Sequence, residues 1–273
     1  MTRTKIDWAD YSWNPVTGCY HDCPYCYARR IAERFGGYAK AEAQLETLFP
    51  YDAEKESAAK IHEIGGNLFP LYYKADGKTA PFPFKFEPTL NFGKLYEPAK
   101  MKKPQTIFVG SMTDLFGDWT PNEWIKSVFD ACKTAPWHRY LFLTKNPARY
   151  GKLYKSGLLP KGENFWFGAS ATDHKSYEYA IENLSAVRNN FISAEPLLGR
   201  LDLWNIHVSK GWPKWLILGA ETGNRKKKVI PNVSWIQEAF IFANDHRIPV
   251  FTKDSLSSII GKNNMRRNFP WAD

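Results

Sequence analysis

Thr106-Ile107-Phe108-Val109-Gly110-Ser111-Met112-Thr113-Asp114-Leu115-Phe116 opens a pattern that recurs along the second half of the chain. An apolar, β-branched run stops at Gly110, polar side chains follow, and apolar residues return at helical spacing from Pro121 to Thr134. Proline suits the start of a helix, where its missing N–H is not needed. The same unit repeats further on. Tyr140–Leu143 ends in Thr144-Lys145-Asn146 before a helix from Pro147, and Phe165–Gly168 ends in Ala169–Asp173 before a helix from His174 to Val187. Asn190–Ile192 ends in Ser193–Leu197, Trp215–Gly219 in Ala220–Gly223 before a helix from Val233 to Asn244, and Pro249–Phe251 in Thr252–Asp254. Strands that are apolar on both faces are covered on both faces, which predicts an α/β fold with parallel strands. Polar residues at successive C-terminal strand ends are the arrangement of a (β/α) barrel whose rim converges on a site. Six clear strands, a first at Trp13–Gly18 and a weak one at Phe86–Leu90 allow a partial six-stranded barrel or a closed eight-stranded one.

A chain of 273 residues with 44% hydrophobic content is long enough for one large core, and residues 1–273 read as a single domain with an insertion over 38–83. The Ala-, Glu- and Lys-rich stretches Ala39–Leu48 and Ala53–Ile64 predict two amphipathic helices ended by Gly65-Gly66, ahead of Tyr72-Tyr73-Lys74 and Pro81-Phe82-Pro83. The insertion either covers the barrel mouth or shapes a substrate groove, or it is a solvated elaboration.

The balance of 37 Lys and Arg against 28 Asp and Glu, a net charge of +9, favours anionic partners, nucleic acid first. Aromatic residues make up 16% of the chain, enough for core packing and for base stacking. There is no signal-peptide-like N-terminal run and no stretch of the ~18 apolar residues that a membrane span needs. A cytoplasmic protein with no membrane partner is the expectation. Four cysteines do not make a disulfide framework in a chain this long, which agrees with a reducing compartment.

Three of those cysteines, Cys19, Cys23 and Cys26, fall within eight residues, in Thr17-Gly18-Cys19-Tyr20-His21-Asp22-Cys23-Pro24-Tyr25-Cys26-Tyr27-Ala28. Thiolates are soft ligands, and a short loop can aim three of them at one centre. Cys132 lies far away in a helical-looking segment, so the set counts three protein ligands and leaves a metal position open. The bland alternatives are a zinc knuckle completed by His21, or unrelated thiols. His21 stands too close to its neighbours for ordinary zinc-ligand spacing.

The C-x3-C-x2-C spacing with Tyr25 before the last cysteine resembles the cluster loop of the radical S-adenosylmethionine (SAM) superfamily. Trp13–Cys19, Ser111–Phe116, Leu143-Thr144-Lys145, Ser193–Gly199 and Gly219–Gly223 together are similar to a phage-associated family of radical-SAM-like proteins of unassigned function. The resemblance implies a radical SAM barrel, a 4Fe–4S cluster on Cys19, Cys23 and Cys26, SAM on the open iron, and an external one-electron donor such as a flavodoxin or ferredoxin. It implies an enzyme that abstracts hydrogen by a 5′-deoxyadenosyl radical, in the host cytoplasm if phage-encoded. A DNA base is the first substrate expected, for base modification or a photoproduct-lyase-like repair. RNA and then peptide follow, and a DNA-binding protein with structural zinc is the non-enzymatic rival.

On the same resemblance Tyr25 lies by the adenine, and Ser111, Thr113, Asp114, Ser170 and Glu195 are candidates for the ribose and methionyl groups. An Asp after a strand is also an ordinary helix cap. Lys145, Glu195, Glu221 and Lys253 are the candidate catalytic or substrate-contacting residues, although Glu221 and Lys253 could instead pair with each other. His21 could simply cap the loop. Arg225-Lys226-Lys227-Lys228 with Arg266-Arg267 is read as a nucleic-acid phosphate clamp rather than a solvated loop.

Overall fold

The computed structural model describes residues 1–36, 59–64, 67–72, 82, 84–206 and 211–272. The described strands are β1 Thr2–Arg3, β2 Tyr11–Trp13, β3 Val16–Thr17, β4 Ala59–Ile64, β5 Asn67–Tyr72, β6 Thr89–Asn91, β7 Thr106–Val109, β8 Arg139–Thr144, β9 Phe165–Ser170, β10 Asn190–Ala194, β11 Leu216–Leu218 and β12 Val250–Thr252. The fold is mixed α/β, built on a mostly parallel eight-stranded sheet in the order β1-β2-β7-β8-β9-β10-β11-β12. Pairs β2–β7, β9–β10, β10–β11 and β11–β12 are parallel, and only the two-residue edge strand β1 is recorded antiparallel, to β2. A second sheet runs β3-β6-β5-β4.

The apolar runs of the second half are all strands, and helices follow them over Asn122–Lys133, Ala148–Lys155, His174–Leu184 and Val233–Asp245. Three expectations change. The first strand is two strands, β2 in the large sheet and β3 in the small one. The weak strand is confined to β6, which pairs antiparallel with β3, so the eighth strand of the large sheet is β1 instead. Residues 59–64, expected at the end of a helix, form β4, paired antiparallel with β5 from Ala59↔Tyr72 to Ile64↔Asn67. The helix expected over Ala39–Leu48 lies outside the described residues, as does the start of the second.

Two compact units divide the chain: Met1–Thr4 with Asp10–Tyr140, and Lys5–Ala9 with Leu141–Asp273. In the first, Trp124, Ile125, Val128, Phe129 and Cys132 recur at helical spacing and give helix Asn122–Lys133 its buried face. Phe129 packs on Phe116 at 6.2 Å, and Trp13 on Tyr140 at 6.4 Å. The Trp13 indole N–H, buried with its ring, donates to the Lys94 carbonyl at 2.8 Å. Each fully buried aromatic or aliphatic side chain contributes about 1.5–3 kcal/mol.

In the second unit Trp215 is the centre of an aromatic core, with Phe191 at 5.5 Å, Trp271 at 5.1 Å and Trp8 at 6.2 Å. A Cβ at Gly168 would sit 2.3 Å from the Phe191 ring, so only glycine lets that ring lie against β9. Helix His174–Leu184 begins with a capping box, Asp173 accepting the Ser176 amide at 2.9 Å, and buries Tyr177, Ala180, Ile181 and Leu184.

Candidate functional site

In the first unit the cysteine loop leaves β3 at Gly18 and ends at the N-terminus of helix Tyr27–Phe35. Gly18 has φ +92°, and a Cβ there would lie 2.2 Å from the Glu87 carbonyl oxygen. Its amide donates to the Met112 carbonyl at 3.0 Å, its carbonyl accepts the Thr113 hydroxyl at 2.6 Å, and the two residues form a parallel bridge. The loop is thereby fastened beside the C-terminal end of β7. Asn14 Oδ1 accepts the Met112 amide at 2.9 Å, and its side chain also meets Ser111 Oγ at 3.1–3.2 Å. The Ser111 and Thr113 hydroxyls thus already hold the loop's support.

All four cysteines are free thiols; Cys19, Cys23 and Cys26 are half-buried and Cys132 is buried in the core. Cys19 and Cys26 both pack against the apolar cluster of Ala28, Ala32, Phe82 and Phe86. Backbone amides point at two of the sulfurs: His21 N–H at 3.5 Å from Cys19 Sγ, and Arg29 N–H at 3.4 Å from Cys26 Sγ. Burial pushes the Cys19 thiol up to about 11, the His21 amide works against it, and the charges of Asp114 and Cys23 act with it. Tyr25 is half-buried within the same loop.

Asp114 is 5% exposed. Its Oδ2 lies 2.7 Å from His21 Nε2, and its Oδ1 accepts the Phe116 amide at 3.1 Å. The imidazole in turn meets the Trp119 ring edge-on at 4.9 Å. The His21–Asp114 pairing was not legible in the sequence, where the partners stand 93 residues apart. The only hint was a histidine inside the loop and an aspartate after a strand.

In the second unit Glu195 follows β10 and Lys253 follows β12, and their side chains form an ion pair. Gly219, after β11, makes room for both: a Cβ there would lie 3.1 Å from Glu195 Cγ and 3.2 Å from Lys253 Cδ. Glu221 does not pair with Lys253. It takes Arg225 fork to fork, Oε1 to Nε and Oε2 to Nη2, both at 2.6 Å. That hydrogen-bonded guanidinium holds the Glu221 carboxyl below its ordinary range, despite the opposing effect of burial. Ser170 ends β9 opposite Ser193 of β10. Lys145, just after β8, is half-buried and engaged in an interaction of its own.

A family model described as protein of unknown function (DUF5131) matches residues 3–257. The chain belongs to the DUF5131 family. No curated protein and no solved structure matches it. The DUF5131 match takes in the cysteine loop, both carboxylate pairs and the basic run, and leaves Arg266 and Arg267 outside. Those two arginines are committed elsewhere. Arg266 lies over the Phe240 ring at 4.0 Å and donates to Asn244, and Arg267 is bound by Asp254 with Asp7 at 3.5 Å. Of the basic run in this DUF5131 chain, Arg225 serves Glu221 and Lys228 reaches the Gly223 carbonyl at 3.4 Å, whereas Lys226 and Lys227 are exposed with no partner recorded.

Among the described residues no group of three or more His, Cys, Asp or Glu side chains is assembled around a single-ion position. An iron–sulfur cluster asks for something different, since each thiolate binds its own iron and the sulfurs stand further apart than ligands of one ion. The donor types are those that such a cluster takes: three unbridged thiols on one loop, two of them facing backbone N–H groups.

Proposed function

We propose that this DUF5131 protein is a radical SAM enzyme in which Cys19, Cys23 and Cys26 hold a 4Fe–4S cluster, on a barrel of the radical SAM type. The observation that carries the reading is the fastening of three free, half-buried thiols to the C-terminal end of β7, on the turn built by Gly18, Met112 and Thr113. When bound, the cluster supplies one electron to SAM, releasing methionine and a 5′-deoxyadenosyl radical that takes hydrogen from the substrate.

The chain's own residues do the rest. Tyr25, inside the loop, is the side chain for the adenine face. Asp114, Ser111 and Thr113 act on the shape of the loop and strand end rather than as free ligands, since each already holds a hydrogen bond there. At the strand ends of the second unit, Glu195 and Lys253 offer an acceptor and a donor on adjoining side chains for orienting a polar group. Lys145 and Ser170 are the further polar groups at strand ends, and Glu221 acts through Arg225 to fix the loop that carries Lys226 and Lys227. Those two exposed lysines, with the net charge of +9, favour a nucleic-acid substrate, a DNA base first. An external one-electron donor and a reducing cytoplasm complete the reading.

The test is anaerobic reconstitution with iron and sulfide, followed by dithionite and SAM. Formation of 5′-deoxyadenosine is expected, and its absence from a chain that has taken up iron contradicts the assignment. Deuterium transfer from labelled DNA, rather than from labelled RNA or peptide, into that product identifies the substrate class.

A further inference from the structure

Two neighbouring side chains leave the middle of the cysteine loop for the same indole. Tyr20 meets Trp119 edge-on at 5.5 Å and His21 meets it edge-on at 4.9 Å. Trp119 lies close against Gly117, where a Cβ would come 2.2 Å from its six-membered ring. Its Nε1 is buried without a hydrogen-bond partner. From the other side the buried Asp114 carboxylate holds the His21 imidazole at 2.7 Å, and is itself anchored on the Phe116 amide at 3.1 Å. A buried carboxylate is tolerated only where hydrogen bonds satisfy it, so this pairing is a constraint on His21 and not an incidental contact. The same residue, His21, presents its backbone N–H to Cys19 Sγ at 3.5 Å. A continuous line of contacts thus runs from Asp114 and Trp119 through His21 to the first thiol.

We propose that Asp114 and Trp119 are positioning residues that act through His21 to fix the cysteine loop around Cys19 before any metal arrives. The inference rests on the reading of Cys19, Cys23 and Cys26 as ligands. Its physical logic is preorganisation: a loop fixed beforehand does not lose its conformational freedom at the moment of binding, and metal affinity rises accordingly. Neither residue touches the metal or the substrate in this account.

The test uses the full metal-free chain and its Asp114→Asn, Trp119→Ala and Trp119→Phe variants, with hydrogen–deuterium exchange over the 19–27 peptide. Exchange there is expected to quicken about tenfold in Asp114→Asn and Trp119→Ala, and to stay near the original in Trp119→Phe, which keeps an aromatic edge for His21. The Thr106–Val109 strand should keep its protection in all of them. Unchanged exchange in the 19–27 peptide, or an equal loss over Thr106–Val109, overturns the proposal, the second because these residues would then support the fold and not the loop. Iron per chain after reconstitution should fall in the same two variants and be restored in Trp119→Phe. If the original chain takes up no iron, the cluster reading fails, while the exchange measurement still decides the positioning role.

Discussion

Cys26 Sγ accepts the Arg29 amide at 3.4 Å, so the third thiol of the loop is also the N-cap of helix Tyr27–Phe35. On the proposed reading this side chain carries a second, separable duty as a metal ligand. Serine is a favoured N-cap and a poor soft-metal ligand, whereas alanine is neither. Cys26→Ser should unfold in urea at nearly the original midpoint, and Cys26→Ala should lose about 1 kcal/mol. Equal stability of the two variants would show that the sulfur does not cap the helix.

Gly18 should tolerate no side chain. Its φ of +92° and the 2.2 Å approach of the Glu87 carbonyl to a Cβ act together, because that neighbour is backbone and cannot rotate away. Gly18→Ala should cost at least about 2 kcal/mol, measured by urea unfolding. A variant as stable as the original would mean that the turn joining Gly18 to Thr113 is more yielding than its geometry implies.

The Glu195–Lys253 pair is partly buried, with side chains 24% and 15% exposed, so neither charge is well hydrated alone. Removing one partner as Lys253→Met should destabilise by about 2 kcal/mol, and Glu195→Gln in that background should recover part of the loss. Additive effects in the double-mutant cycle would refute the coupling.

Glu221 provides a pH signature. Its carboxyl is held below the ordinary value of about 4.3, first by the Arg225 hydrogen bonds. A folded-state value below the unfolded one gives stability that is complete above the unfolded value and is lost as pH falls through the folded value. Thermal unfolding should therefore show a steeper loss of Tm below about pH 4 in the original chain than in Glu221→Gln, and the two curves should run parallel at neutral pH. Parallel curves at acid pH would remove the pair from the acid response.

The strands from β7 to β12 were legible because each is a short apolar run closed by polar residues, a pattern that depends on local sequence alone. Residues 59–64 read as helix for the same local reason, although they form β4. Ala59-Lys60-Ile61-His62-Glu63-Ile64 carries helix-favouring residues, and it is the register against Asn67–Tyr72, including Ile61 opposite Pro70, that makes it a strand. The three thiols could be found by spacing, and Glu195 and Lys253 by their places at strand ends. What could not be found was pairing. Lys253 chose Glu195 and Glu221 chose Arg225, and Asp114 spent itself on His21, because these choices depend on strand order and on rotamers that no periodicity records.

The proposal that Cys19, Cys23 and Cys26 together hold one iron–sulfur cluster stands or falls on iron and sulfide per chain after anaerobic reconstitution. The original chain and the Cys132→Ala variant, whose missing thiol belongs to the core, should each carry about four irons. Cys19→Ser, Cys23→Ser and Cys26→Ser should each lose most of that iron while remaining folded. Full iron in any one of the three serine variants, or a single ion per chain in the original, would contradict the account.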